Sequence, residues 1–218
     1  MEMDLHIHTN RYSGCSNIDP LAAIVKAARV GLGGIVLTEH SICWKEEDIE
    51  KLRQRSKVKN VLVLTGQEVA CYSPMGRFQG EFLVYGYPES LGSNKSVETV
   101  LEMVHAVDGV VVAAHPFKMA DNGDGFYGSG FAVADYKLDG LEIEHPDYDE
   151  QGRVYALEYM RKMKVAGIGC SDAHDLRSIG KCRTRFTETV TDIKDLCREI
   201  RMCRVQARNY AKAGKKNI

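Results

Sequence analysis

The chain has 218 residues, and its 29 Lys and Arg nearly balance its 30 Asp and Glu, giving a formal net charge of −1. This balance argues against a broad electrostatic attraction to nucleic acid or to a membrane surface, and no apolar run is long enough for a membrane span. The length and a hydrophobic content of 44% suit one buried core, so we expect a single domain over residues 1–218.

Two features bear on location. The N-terminus leads directly into a polar strand and has no pattern of a signal peptide. Seven cysteines, an odd number without a C-x-x-C spacing, favour reduced thiols over a disulfide framework or a zinc ribbon. We therefore expect a cytoplasmic protein whose basic ending, Lys212 to Lys216, is a solvated tail.

The first predicted strand, Asp4 to Thr9, carries two histidines in alternation. Side chains two apart on a strand point to the same face, so His6 and His8 present their imidazoles side by side. This is the geometry of a pair of metal ligands. A catalytic metal takes three or more protein ligands, so the others must come from later in the chain.

Strands and helices alternate along the rest of the chain. The spacing predicts helices at Pro20–Gly31, capped by Asp19, and at Glu46–Ser56, Ser96–Val107, Gly152–Val165 and Thr191–Arg201. It predicts strands at Gly34–His40, Asn60–Ala70, Glu81–Gly86, Gly109–Pro116, Leu138–His145 and Ala166–His174. The pattern predicts one α/β domain of about seven strands, in which Glu81–Gly86 pairs back on the preceding strand.

Nearly every predicted strand ends in His, Asp or Glu. Six of the seven histidines lie at strand ends, and only His105 lies within a predicted helix. In parallel α/β folds, ligands bind beyond the carboxyl ends of the strands, where residues from several strands converge. The set that converges there would be His6, His8, Glu39, His40, Glu68, His115, Asp172 and His174. Such nitrogen and oxygen donors suit zinc, manganese or iron.

The order of these motifs resembles the PHP (polymerase and histidinol phosphatase) family of metal-dependent phosphoesterases. The matching motifs are Asp4-Leu-His-Ile-His-Thr9, Leu37-Thr-Glu-His-Ser41, Gly66-Gln-Glu-Val69, Ala114-His-Pro116 and Ser171-Asp-Ala-His174. The resemblance runs from Asp4 to about Phe186, and it implies a distorted (β/α)7 barrel. It also implies two or three divalent ions as cofactors.

The resemblance implies a role for each ligand. Glu68 would bridge two ions, and the first ion would be completed by His6, His8 and Asp172. The second ion would be bound by His115, and a third would be held with the help of His40 and His174.

Two positions depart from the family pattern. The first loop usually carries an acid or a histidine for the third ion, whereas this chain offers only the thiol of Cys15. The strand that pairs back is often preceded by a histidine, whereas this chain has Glu81, an oxygen donor that would favour harder ions such as manganese. The third site is therefore expected to be weak or absent, and Cys15 to be a bystander more readily than a ligand.

Other charged residues have supporting roles or none. Glu39 lies on the opposite face of its strand from His40 and is expected to contact the ligands rather than a metal. Two readings stay open for Glu142, Glu144 and His145: contact with the ligands, or ordinary polar structure at a strand end. Arg11, Lys118 and Arg177 are candidates for holding a substrate phosphate, although charged loop residues are usually just solvated.

Metals bridged by a carboxylate can activate water and neutralise charge on phosphoryl oxygens. A metal-bridging hydroxide would be the nucleophile, so no protein nucleophile is required, and the chain has no G-x-S-x-G elbow. The sequence thus predicts hydrolysis of a small phosphorylated metabolite or a short nucleotide phosphodiester, read by the loops at Asn10–Ile18, Tyr72–Gly80 and Met119–Gly130.

Two alternatives stay open. One is another metal-dependent hydrolase of the amidohydrolase type, which also begins with H-x-H but uses a carbamylated lysine for which we find no candidate. The other is a non-catalytic regulatory module of PHP type with decayed metal sites. The substrate, the metal identity, the proton donor to the leaving group and the oligomeric state are not determined by the sequence.

Overall fold

The structure is a computed structural model that describes residues 1–121 and 123–211, so the basic ending at 212–216 lies outside the described residues. In chain order the elements are β1 (Glu2–Ile7), α1 (Pro20–Arg29), β2 (Gly34–Leu37), α2 (Glu46–Ser56), β3 (Leu62–Tyr72), β4 (Phe78–Tyr85), α3 (Val97–His105), β5 (Val110–Ala113), a 3-10 helix (Gly130–Asp135), β6 (Gly140–Glu144), α4 (Glu150–Met163), β7 (Ala166–Gly169), β8 (Cys182–Phe186), α5 (Ile193–Arg201) and β9 (Val205–Asn209).

The described strands form one sheet in the order β7-β6-β5-β4-β3-β2-β1-β8-β9. Neighbours pair in parallel except where β4 pairs with β3 and β5, and where β8 pairs with β1 and β9. The sheet is therefore mixed, and it has nine strands rather than the expected seven. The predicted pairing of the Glu81 strand back onto β3 is confirmed.

The sheet curls into a nearly closed barrel. The Thr184 side chain of β8 bonds both backbone groups of Gly169 in β7: its hydroxyl accepts from the Gly169 N–H at 3.1 Å and donates to the Gly169 carbonyl at 2.9 Å. A Cβ at Gly169 would lie 2.6 Å from the Arg183 carbonyl oxygen, so only glycine permits this approach. The predicted α/β barrel is confirmed, with a seam closed by a side chain.

The barrel interior is apolar towards the amino-terminal ends of the parallel strands. Met3, Val110 and Ala166 lie there, and α5 packs against the same cluster through Leu196 and Ile200. Helix α5 thus closes this end, and polar chemistry is confined to the opposite, carboxyl end. Within the described residues, no helix combines the length and the apolarity needed to cross a membrane.

Candidate metal centre

The predicted ligands meet at the carboxyl end of the barrel. The side chains that converge there are His6, His8, His40, Glu68, Glu81, His115, Asp172 and His174. Strand β4 runs opposite to its neighbours, so its beginning, with Glu81, lies at this same end. Three overlapping groups have their donor atoms within 4.8 Å of one another: His6–His8–Glu68, His8–His40–His174 and His40–Glu68–Glu81.

The buried part of the site, which we call the inner group, comprises His6, His8, Glu68, His115 and Asp172. The Nε2 atoms of His6 and His8 lie 3.3 Å from the two oxygens of Glu68. Both also lie 3.4 Å from Asp172 Oδ1. Two imidazoles and two carboxylates therefore converge on one point.

Glu142 fixes the ring of His6. The Nδ1 of His6 lies 3.0 Å from Glu142 Oε1, and both residues are fully buried. An ionised carboxylate only accepts hydrogen bonds, so the His6 proton resides on Nδ1 and Nε2 presents a lone pair. The other oxygen of Glu142 accepts the backbone N–H of His115 at 2.6 Å. Of the two readings of Glu142 left open above, the geometry matches contact with the ligands.

A comparable relay fixes His8. Its Nδ1 lies 3.3 Å from the hydroxyl of Ser13, which donates its only proton to Glu39. Nδ1 of His8 must therefore be the donor, and Nε2 again presents a lone pair. Glu39 is fully buried and accepts further bonds from Thr9 and from the indole N–H of Trp44. Glu39 thus orders the Ser13 hydroxyl that contacts His8.

The two lone pairs face each other. His6 Nε2 and His8 Nε2 are 2.9 Å apart, with no proton supplied by either tautomer. Such a contact is repulsive unless a positive charge lies between the nitrogens. A proton meets this need in the metal-free chain, and a metal ion meets it in the loaded one, so the donor set fits a metal.

The charges of the inner group follow from this packing. Burial alone would raise the pKa of Glu68, but the charge of His6 and hydrogen bonds from His115 and His40 hold it well below its usual range. Burial alone would lower the pKa of His8, but hydrogen bonds to Asp172 and Glu68 raise it to about 9. In the metal-free chain His8 is therefore protonated at the position where an ion would bind.

His115 and Glu81 extend the inner group. His115 Nε2 lies 3.1 Å from Glu68 Oε1 and 3.5 Å from Glu81 Oε2. Burial and the charge of Glu68 raise the pKa of Glu81 to about 7, as expected for a carboxylate beside another. Glu81 therefore lies where the sequence placed an additional oxygen donor.

The solvent-facing part, which we call the outer group, comprises Cys15, His40 and His174. His40 lies 3.1 Å from Glu68 Oε2 through Nδ1, and its Nε2 lies 3.2 Å from the Cys15 thiol. The side chains of His40 and His174 are 43% and 34% exposed, whereas those of His6 and His8 are inaccessible to solvent. Burial raises the pKa of the Cys15 thiol, so it is not a ready thiolate in the metal-free chain.

The backbone is strained at two ligands. Asp172 has a φ of 46° and His115 a φ of 28°, in a region that residues with a side chain seldom occupy. The buried Asp4 carboxylate accepts from the N–H groups of Ser171 and Gly180 and from the Ser171 hydroxyl. Asp4 thereby ties down the turn that places Asp172.

The site opens into a cavity of about 480 Å³. Two lysines, Lys118 and Lys181, line it together with Tyr127, whose ring lies 5.7 Å from that of His115. Of the three cations suggested for phosphate binding, only Lys118 lines the cavity, and Arg11 and Arg177 do not.

Sequence reasoning missed several residues that shape the site. Ser13 lies in an irregular stretch, and nothing in the sequence distinguishes its hydroxyl from its neighbours. Lys181 follows a glycine several residues after the last motif, where a solvated lysine is the usual expectation. Asp4 and Thr9 begin and end the first motif, and sequence reasoning gave neither a role.

One family model, described as PHP-associated, matches residues 155–205. This segment runs from α4 through α5 and so covers the last ligands of the site. The fold and the site thus define a barrel with a cluster of His, Glu and Asp side chains that could hold metal ions. Over these residues the chain is similar to PHP-associated proteins.

Among relatives, the uncharacterized protein MJ1587 of Methanocaldococcus jannaschii is 26% identical over 153 residues, covering 66% of this chain and 81% of that protein. A two-domain protein of Bacteroides vulgatus with a predicted PHP-like metal-dependent phosphoesterase superposes with a TM-score of 0.73 at 16% identity, covering 96% of this chain and 64% of that one. An amidohydrolase of Chromobacterium violaceum, solved with sulfate and no metal, superposes with a TM-score of 0.62 at 14% identity, covering 98% and 99%. These likenesses establish the fold.

Proposed function

We propose that the chain is a metal-dependent phosphoesterase, a single domain over residues 1–218 that hydrolyses a phosphate monoester or a short nucleotide phosphodiester. One observation carries the proposal: two buried imidazoles present lone pairs to each other at 2.9 Å beside the carboxylates of Glu68 and Asp172. A proton relieves this contact in the metal-free chain, a metal ion can take its place, and the cavity above it is lined by lysines.

Each donor has a proposed place. His6, His8 and Asp172 would hold one divalent ion, and His115 with Glu81 a second, with Glu68 between them. His40 and His174 would hold a third. The mixture of nitrogen and oxygen donors suits zinc, manganese or iron, and Glu81 adds an oxygen ligand that favours manganese.

When bound, the ions would supply Lewis acidity, activating water and offsetting charge on the phosphoryl oxygens. The side chains of the protein would orient the metal ligands and offset the negative charge of the phosphate. Lys118 lies 3.8 Å from Asp172 Oδ2, close enough to a ligand to meet a phosphoryl oxygen, and Lys181 faces the same cavity. Because the ring tautomers of His6 and His8 are fixed by Glu142 and Ser13, neither of these two rings has to turn before an ion binds.

The substrate is proposed to be small, because a cavity of about 480 Å³ admits a metabolite or the end of a nucleotide chain. Cys15 and Tyr127, from two of the three predicted loops, line this cavity, whereas Tyr72 and Ser73 line a separate surface pocket. A cytoplasmic location remains a prediction from the sequence.

The test is a screen of phosphorylated metabolites and short oligonucleotides with added manganese, zinc or iron, run beside Glu68→Gln. We expect hydrolysis that disappears on chelation and returns with metal. Less than one ion per chain after growth without chelator, with no uptake of added metal, would contradict the proposal.

The resemblance in fold to an amidohydrolase supports one competing function, cleavage of an amide by the same metals. Chromogenic phosphate esters and amides separate the two, since they present the same leaving group on different centres. Hydrolysis of the amide alone would favour the amidohydrolase reading. A chain that binds metal but cleaves neither would favour a regulatory module.

A further inference from the structure

One buried histidine at the carboxyl end of the barrel has no place in the metal groups above. His145 directly follows β6, and its side chain is completely inaccessible to solvent. Its ring lies 5.5 Å from that of His115 on one side and 5.5 Å from that of Tyr148 on the other. Packing therefore leaves the ring little freedom to turn.

The proton of His145 can be located from its neighbours. The backbone N–H of Asp147 donates to His145 Nδ1 at 3.1 Å, so Nδ1 carries a lone pair and the neutral ring has its proton on Nε2. Nε2 has no hydrogen-bond partner among the described residues. A buried donor without a partner is destabilising, so this N–H requires an acceptor.

The nearest acceptor is a metal-site carboxylate. His145 Nε2 lies 3.5 Å from Asp172 Oδ2, just beyond a good hydrogen bond. The other oxygen, Oδ1, faces His6 and His8. A slight turn of the carboxylate would therefore satisfy His145 and leave Oδ1 directed at the ion position.

Asp147 also positions Lys118 near the same oxygen, Asp172 Oδ2. Its side chain holds Lys118 Nζ at 3.0 Å, and that ammonium lies 3.8 Å from Asp172 Oδ2. Asp147 thus fixes the tautomer of His145 with its backbone and the position of Lys118 with its carboxylate. Asp172 needs such support because its backbone is held at a φ of 46°.

We propose that His145 is a positioning residue for Asp172: its Nε2–H binds Oδ2 and so directs Oδ1 to the ion held by His6 and His8. This inference rests on the proposed function, whose site it deepens. His145 is not itself a metal ligand, because the Nε2 that faces the site carries the proton.

The test compares two substitutions by metal affinity rather than by turnover. His145→Phe keeps a ring but removes the N–H, and we expect metal affinity to fall 10- to 100-fold, as is usual when the partner of a ligand is lost. His145→Gln places an amide N–H near Nε2 and should restore most of that affinity. His105→Phe, at an exposed position of helix α3, is the matched control and should bind metal like the parent.

Competition with a chelator gives the affinities, and thermal unfolding of the metal-free proteins tests for a merely structural role. If His145→Phe bound metal as tightly as the parent, or if His145→Gln were as weak as His145→Phe, the inference would be overturned. Long-range 1H–15N NMR of the parent keeps the inference testable if His145→Phe does not fold, because it must show the Nε2–H tautomer at His145. A parent that binds metal but cleaves no phosphate ester would contradict the proposed function and leave the positioning test intact.

Discussion

The inner and outer groups of the centre differ in how their side chains are held. Two of the three inner histidines have a buried partner on Nδ1, Glu142 for His6 and Ser13 with Glu39 for His8, whereas the Nδ1 of His115 has none among the described residues. The outer histidines are partly exposed, and the ring nitrogens of His40 lie beside Glu68 and the thiol of Cys15. We infer that the inner group is set by the fold before metal arrives, whereas the outer group can adjust to what binds.

Protonation follows the same division. The rings of His8 and His174 are 4.4 Å apart, yet their pKa values move in opposite directions. Hydrogen bonds to carboxylates overcome burial and raise the pKa of His8 to about 9, whereas burial and the neighbouring charge of His8 lower that of His174. At neutral pH His8 is therefore protonated, whereas the lowered pKa of His174 favours its neutral form.

Glu68→Gln should have the largest effect, because Glu68 contacts both groups and a neutral amide bridges two cations poorly. We expect activity to fall on the order of a thousandfold or more, since bound metal supplies several kcal/mol of transition-state stabilisation. Elemental analysis and rate measurements are the readouts, with the exposed Glu98→Gln as the control. An active Glu68→Gln protein with parental metal content would show that the bridge is another residue.

Metal binding to the inner group should depend steeply on pH. Because an ion must displace the protons of His6, His8 and His115, whose pKa values are all raised, apparent affinity should rise at least about tenfold per pH unit between pH 7 and the pKa of His8, about 9. Binding at the outer group should show no such slope from His174, whose pKa is lowered. Calorimetry in buffers of different ionisation enthalpy counts the protons released on binding. If the affinity for the most tightly bound ion did not change with pH, the inner and outer groups would not differ in protonation as described.

His174→Ala should have an intermediate effect. We expect the loss of at most one ion per chain and a rate reduced roughly tenfold, about 1.4 kcal/mol of barrier, with the inner ions retained. Stoichiometry by elemental analysis is the check. Loss of all metal from this variant would mean that the outer group supports the inner one, contrary to the comparison.

Cys15→Ser should have the smallest effect. The thiol is exposed and its pKa is raised, so we expect unchanged metal content and a stability within about 0.5 kcal/mol of the parent. Alkylation of Cys15 should proceed equally with and without metal. Protection by metal, or loss of a stoichiometric ion from Cys15→Ser, would make Cys15 a thiolate ligand.

The sequence alone was sufficient for the barrel class and for the location of the candidate ligands. Apolar runs that end in His, Asp or Glu signal buried strands with their chemistry at one end, because the two features are local and periodic. Sequence reasoning missed two strands, β8 and β9, because neither has a long apolar run that ends in a charged residue. In β8, Cys182, Thr184 and Phe186 face inward between arginines, a weak alternation over five residues, and β9 is equally short and has no fully buried residue.

Only the tertiary structure decided how the ligands are held. Ser13 lies in the loop after β1, and Glu39 lies just after β2. Because the Ser13 hydroxyl donates its single proton to Glu39, it can only accept a hydrogen bond from His8. The role we propose for His145 likewise depends on one backbone N–H and on a carboxylate 27 residues further along the chain. A hydrogen bond between residues distant in sequence forms only where tertiary packing places the two atoms to within about an ångström. Composition and spacing do not predict such a contact.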